Sequence, residues 1–233
     1  MKLIVPVAGR SSRFPGMRPK WMLTMPNGKL MLEESISYMD LSNIDEIIIP
    51  YITKQINEFN FNISYIQKSL EAQHNKLVTL CPLSDWTISQ PATICQAIQA
   101  SFKDDNSFYI KDCDNMFCSS PAPLNEVAFV KLENIELIAA KNKSYILTNR
   151  FLEIEQIAEK EVISDKFCCG GYSFESSDLF IQTCESLGVH QNPDLYVSHI
   201  IKKLIFNSIC FKGSEAIDYI DWGTSEEYFQ YTR

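Results

Sequence analysis

Three aspartates and a cluster of cations carry the chemistry legible in this chain. Asp112 and Asp114 stand one residue apart, directly behind the apolar Phe108-Tyr109-Ile110. Asp221 closes another short segment, Ala216-Ile-Asp-Tyr-Ile-Asp221. Carboxylates projecting from one sheet edge suit a hard cation such as Mg²⁺, which takes one or two of them and completes its shell with waters and phosphate oxygens. The same residues also favour turns and helix caps, so a D-x-D taken alone is ordinary. The cations lie at the other end of the chain, in the loop Ala8-Gly-Arg-Ser-Ser-Arg-Phe-Pro-Gly-Met-Arg-Pro-Lys20. Small residues let backbone N–H groups approach an anion, and Arg10, Arg13, Arg18 and Lys20 add charge where they point. In a chain of net charge -8 this concentration marks a site for a multiply charged anion, the phosphates of a nucleotide.

The elements that must hold these groups follow from periodicity. Leu3–Val7 reads as a buried strand feeding the cationic loop, and residues 45–50 as a second strand ended by Pro50. Helices are expected over 30–39, 54–61, 93–102, 176–187 and 194–206, the fourth capped at Ser176-Ser177-Asp178. Further strands are expected at 63–67, 76–80, 108–110, 127–130 and 135–140, and residues 167–174 contain Gly170-Gly171, where backbone must approach something closely. Strands alternating with helices imply an α/β fold, a mainly parallel sheet covered on both faces. Ligands of such sheets sit beyond the carboxyl ends of the strands, where the loops after Val7 and Ile110 both fall.

Composition excludes several classes. At 233 residues with 45% hydrophobic content, the chain can bury a full core as one domain. Its acidity argues against nucleic-acid binding. No apolar run approaches the ~20 residues of a membrane span, and the start lacks a signal-peptide pattern, so a cytoplasmic protein is expected. The eight cysteines form no C-x-x-C pair and the three histidines are scattered, which disfavours zinc and disulfides. The thiols are expected to be mostly buried small hydrophobes. The opening loop lacks G-x-G-x-x-G, which disfavours a dinucleotide-dependent dehydrogenase.

Read in order, the motifs resemble those of the nucleoside-triphosphate transferase family that includes the sugar-phosphate nucleotidylyltransferases, or NDP-sugar pyrophosphorylases. The family's A-G-x-G-x-R-[FL] followed by P-K is similar to Ala8-Gly9-Arg10-Ser11-Ser12-Arg13-Phe14 and Pro19-Lys20. Glu159-Lys160 and Gly170-Gly171-Tyr172-Ser173-Phe174 resemble its E-K…G-G-Y-x-F segment, and Tyr196-Val197-Ser198 a helix of many members. Asp221-Trp-Gly-Thr-Ser-Glu-Glu-Tyr228 resembles its D-x-G-T-P-E-[DE]-[YL] ending. Ser11 replaces the second glycine of the fingerprint, and Ser89-Gln-Pro-Ala-Thr93 lacks the common G-T-A, so the base is less legible than the reaction.

The resemblance implies a three-layer α/β/α, Rossmann-like, mixed and mainly parallel sheet over residues 1–233, with a nucleotide-binding half (1–115) and an acceptor-binding half (116–233). It implies transfer of a nucleoside monophosphate from an NTP to a phosphorylated sugar or similar metabolite with release of pyrophosphate, in nucleotide-sugar and surface or capsule polysaccharide synthesis. Arg13 and Lys20 are then the catalytic cations, on the β,γ- and α-phosphates. Ala8, Gly9, Arg10, Ser11, Ser12, Gln90, Thr93 and Asp112 contact the nucleotide, Lys160 and Gly171 the acceptor, and Asp112, Asp114 and Asp221 are the Mg²⁺ candidates, with Asp114 preferred over Asp112. Thr93 equally suits a helix cap, and Lys160 a solvated surface. A cytidylyltransferase acting on a phosphocholine-like acceptor is the nearest alternative. A metal-dependent A-type glycosyltransferase would not need Arg13 and Lys20, and a non-catalytic nucleotide-binding paralogue would not need Lys20 with three aspartates. Nucleic acid and membrane are not expected partners; oligomeric state, base and acceptor stay open.

Overall fold

The computed structural model describes residues 1–134 and 142–233. In chain order the elements are β1 (Lys2–Ile4), α1 (Met31–Ile36), β2 (Glu46–Ile52), α2 (Thr53–Glu58), α3 (Ile63–His74), β3 (Leu77–Leu83), α4 (Gln90–Ser101), β4 (Phe108–Lys111), β5 (Asn115–Cys118) and β6 (Glu126–Lys131). After 135–141 come β7 (Ser144–Thr148), β8 (Ile154–Glu159), β9 (Lys166–Phe174), α5 (Ser177–Ser186), α6 (Val197–Phe206), β10 (Lys212–Glu215), β11 (Ile217–Asp221) and α7 (Ser225–Thr232).

Among the described residues nine strands form one mixed sheet along the path β10-β6-β9-β4-β1-β2-β3, with β7 joining at β9 and β8 pairing with β7. The pairs β4–β1, β1–β2, β2–β3 and β10–β6 are parallel, and β9 runs antiparallel between β4 and β6. Strands from both halves of the chain therefore share one sheet. β5 and β11 make a separate antiparallel ribbon. Alternation along the buried strands divides the core into two layers. Leu3, Ile47, Ile49 and Tyr109 face the side covered by Leu32 and Ile36 of α1 and Ile66 and Leu70 of α3. Ile4, Ile48 and Ile110 face Ile94 and Ile98 of α4, Phe180 of α5 and Ile200 and Leu204 of α6. The result is the expected helix–sheet–helix arrangement.

Three local expectations change. Residues 63–67 are not a strand but the start of α3: the Asn62 side chain caps it, accepting from Ser64 N at 3.2 Å, and Asn75 ends it at φ 51°. Ile66 and Leu70, four residues apart, bury on one face, a helical period that a five-residue window conceals. Pro50 does not end its strand. β2 continues to Ile52, and the Pro50 carbonyl still accepts from Val7 N at 3.1 Å as the chain after β1 leaves the sheet. The first strand regularly paired is shorter than Leu3–Val7, covering Lys2–Ile4. The strand expected at 135–140 lies outside the described residues. All eight thiols are free, and six are buried. Among the described residues no helix is long and apolar enough to cross a membrane.

Candidate functional site

The loops at the carboxyl ends of β1 and β4 open into a cavity of about 630 Å³ that extends toward β7, β8 and α6. Its floor begins with the loop after β1. Ser11 is held at φ 50°, and its hydroxyl accepts from Lys20 N at 3.0 Å, folding the loop back so that Lys20 enters the site. Gln55 clamps the same loop by donating to Gly9 O at 3.0 Å. The C-terminal helix closes it from outside: Ser225 N donates to Arg13 O at 3.3 Å, and Tyr228 packs edge-on to Phe14. Thr224 caps that helix through a reciprocal pair with Glu227.

Lys20 Nζ lies 2.6 Å from Asp114 Oδ2, and Arg13 Nη2 lies 3.5 Å from the same oxygen. Burial alone would raise the Asp114 pKa, but the two cations override it and hold the carboxyl well below the usual range. Burial alone would likewise lower Lys20, and Asp114 instead leaves it above the ordinary lysine value. Asp112 behaves oppositely. Burial and the neighbouring Asp114 charge raise its pKa, and its Oδ1 accepts from Gln90 Nε2 at 2.5 Å. The turn between them is set by Lys111, a fully buried lysine whose ammonium donates to Asp112 O, Asn115 O and Asn115 Oδ1 at 2.6–2.9 Å. Burial pushes its pKa down to about 8.

β11 brings the third aspartate to this point. Asp221 pairs with Asn115 in the β5–β11 ribbon, and Trp222 N donates to Asp114 O at 2.8 Å. A Cβ on Gly223 would lie 3.0 Å from Asp221 Oδ1 and 3.5 Å from Asp114 Oδ2, so the two carboxylates border one small volume. That donor set fits Mg²⁺, with phosphate oxygens and waters as its remaining ligands. Of the two alternatives Asp112 and Asp114, Asp112 is turned onto Gln90, and among the described residues no group of three or more His, Cys, Asp or Glu side chains could hold a metal. Asp114 and Asp221 are the pair that fits.

The nucleotide-side residues expected from sequence mostly line the cavity: Ala8, Gly9, Arg10, Ser11, Gln90 and Thr93 are on its wall. Ser12 is not; it borders a separate shallow hollow beside Pro15 and Glu58, because the turn at Ser11 sends it outward. Thr93 does not cap α4. Ser89 does, accepting from Ala92 N at 3.3 Å, while Thr93 sits in the first turn with its hydroxyl 2.5 Å from that of Thr87. Gly171 also departs from expectation. A Cβ there would meet Tyr109 Oη at 2.1 Å and Phe117 Cζ at 2.8 Å, so its close approach is to the core. Gly170 is the cavity residue, at φ 86°, where a Cβ would come within 2.6 Å of Asp112 Oδ2.

On the acceptor side Lys160 donates to Tyr196 Oη at 2.6 Å and lies 4.4 Å from that ring's centroid. Glu159 accepts from Ser198 Oγ at 2.6 Å and from Ser144 Oγ. Lys143 bonds Asp221 Oδ2 and donates to Tyr219 Oη at 2.9 Å. Arg10 stacks 4.9 Å from the Trp86 ring centroid at the nucleotide rim. Lys143, Ser144 and Trp86 carry no motif in the sequence. Tyr196 and Ser198 were visible as a recurring triplet but without a role.

No protein-family model matches the sequence, and no curated protein matches it in sequence. In structure the chain resembles a nucleoside-diphosphate-sugar pyrophosphorylase from Vibrio cholerae, with TM-score 0.82 and 17% identity over 100% of both chains. It also resembles the inositol-1-phosphate CTP transferase from T. maritima (TM-score 0.74, 12% identity, 97% of this chain and 90% of that one). A UDP-glucose pyrophosphorylase solved with UDP-glucose aligns at TM-score 0.72 and 14% identity, over 99% and 96% of the two chains. The chain has the fold of the sugar-phosphate nucleotidylyltransferases.

Proposed function

We propose that this chain is a nucleotidyltransferase: it transfers a nucleoside monophosphate from an NTP to the phosphate of a phosphorylated sugar and releases pyrophosphate. The observation that carries this is the convergence of Lys20 and Arg13 on Asp114, opposite Asp221, at the end of β1 in this fold. In this reading residues 1–115 form the nucleotide side and 116–233 the acceptor side of a single domain.

The loop backbone from Ala8 to Ser11 cradles the triphosphate, Arg13 holds its β,γ-end, and Lys20 neutralises charge developing at the α-phosphorus. Arg10 with Trp86, Gln90 and Thr93 borders the base, and Asp112 positions Gln90. Mg²⁺ held by Asp114 and Asp221 would polarise the phosphate oxygens and template the in-line geometry. The acceptor phosphate is already a nucleophile, so the chain needs to orient it rather than deprotonate it, and Lys160 is placed to bind it. Pyrophosphate leaves with the electron pair of the broken Pα–O bond.

A sugar acceptor is favoured over a phosphocholine-like one by the lining beside Lys160. Glu159 with Ser144 and Ser198 offers a carboxylate and two hydroxyls, suited to the hydroxyls of a sugar. The Tyr196 face that would suit a quaternary ammonium is already occupied by Lys160. The reaction would take place in the cytoplasm and yield an activated sugar of the kind that surface-polysaccharide assembly consumes. The test is a pyrophosphate-release screen of the four common NTPs against sugar phosphates and phosphocholine, with Mg²⁺. Release with a sugar phosphate that collapses in Asp114→Ala and Asp221→Ala is expected; full activity in both variants would remove the metal assignment, and release with phosphocholine alone would replace the acceptor.

A further inference from the structure

Asp114 and Asp221 each already have a lysine. Lys20 is fixed at its backbone, since its N–H is tied to Ser11 and it opens the short turn Lys20–Met22. Lys143 is also held at its backbone, its carbonyl accepting from Lys160 N at 3.0 Å, and its ammonium bonds Asp221 Oδ2 and Tyr219 Oη and lies 5.5 Å from the Tyr219 ring centroid. The pair is shielded, with the two side chains 17% and 16% exposed. The other Asp221 oxygen accepts from Gly223 N at 2.9 Å, so both oxygens have a partner.

A divalent ion bound to Asp221 Oδ2 would sit about 2.1 Å from it if Mg²⁺. An ammonium already at hydrogen-bond distance from that oxygen competes for the same lone pairs and repels the ion. Removing the ammonium without replacement would leave Asp114 and Asp221 facing one volume with only Lys20 and Arg13 to balance them. We propose that Lys143 is the resident counter-cation of Asp221, which a divalent ion must displace, and that the freed ammonium then turns to the phosphate of the acceptor. The first half stands on the contacts around Asp221; the second rests on the nucleotidyl-transfer reading. The consequence is coupling: metal binds the empty cavity weakly and binds well only when an incoming phosphate takes over Lys143.

The test uses the full chain and Mn²⁺ alone, titrated without nucleotide and followed by the EPR signal of the free ion. Lys143→Met should tighten Mn²⁺ binding about three- to tenfold, the range of one partly shielded ion pair. Lys143→Arg, which keeps the charge, should stay near the parent value, and adding Asp221→Asn to Lys143→Met should abolish the gain. Unchanged or weaker Mn²⁺ binding by Lys143→Met, or a gain that survives Asp221→Asn, overturns the counter-cation role. A second titration, of inorganic phosphate into the Mn²⁺-loaded protein, should be weaker for Lys143→Met; equal affinity overturns the handover to phosphate. Absence of pyrophosphate release with every NTP would remove the proposed reaction while leaving the Mn²⁺ result to stand. Release with unchanged Mn²⁺ affinity would remove only the role of Lys143.

Discussion

The cavity holds two lysine–aspartate pairs that look alike and are built differently: Asp114 faces two cations, Lys20 and Arg13, whereas Asp221 has Lys143 and the Gly223 N–H. On the nucleotide side, Asp114, Lys20 and Arg13 come from two loops at adjacent strand ends, β1 and β4, and the backbone of one loop is folded on itself through Ser11. On the proposed acceptor side, Asp221, Lys143, Glu159 and Ser198 come from β11, the approach to β7, the end of β8 and α6; side chains join Lys143 to Asp221 and Ser198 to Glu159, and the Lys143 carbonyl accepts from Lys160 N at 3.0 Å. The first construction fixes charge before any ligand arrives, which is what a triphosphate requires of a preorganised site. The second gives Asp221 a single lysine partner, the pairing that the proposed handover exchanges. Burial sharpens the contrast. Asp114 is held ionised against its burial by two cations, whereas Asp112, two residues away and lacking that pairing, has its pKa raised.

Breaking the nucleotide side should cost most. Lys20→Ala should lower kcat for pyrophosphate release by about 10²–10³-fold, as for the loss of one preorganised transition-state charge; a change under threefold in steady-state assays would mean that Lys20 only stabilises the loop. The turn beneath both aspartates comes next. Lys111→Met leaves three buried acceptors without a donor, so stability should fall by about 2–3 kcal/mol, seen as a melting temperature lower by roughly 5–10 °C. On the acceptor side, Lys160→Met should raise KM for the sugar phosphate about tenfold, the worth of one charge-assisted hydrogen bond, with KM for the NTP little changed. An equal rise in both constants would erase the division between the halves. The smallest effect is expected at the closing helix, where Thr224→Ala should cost about 1 kcal/mol in chemical denaturation through loss of the cap.

The same contrast explains what the sequence made legible. The cationic loop and D-x-D could be read because their residues are neighbours in the chain and follow short runs of buried apolar residues, Leu3-Ile4-Val5 and Phe108-Tyr109-Ile110. Lys143 could not be found, since its meaning depends on the residue before β7 reaching Tyr219 and Asp221 of β11, 76 and 78 positions away, and one lysine carries no period. Gly170 and Gly171 were correctly marked as close-approach positions, but which of them faces the cavity depends on the register of β9 against β4. The helix at 63–74 was misread because its two deeply buried residues, Ile66 and Leu70, are spaced by a full turn beyond the short window that suggested a strand.

The stoichiometry of turnover tests the central claim most directly. Phosphorus NMR of the protein with Mg²⁺, an NTP and a sugar phosphate should show pyrophosphate and a diphosphate-linked nucleotide sugar appearing one for one, with no pyrophosphate when the sugar phosphate is omitted. Free nucleotide diphosphate in place of pyrophosphate, or no reaction with any NTP and sugar phosphate pair, would contradict it.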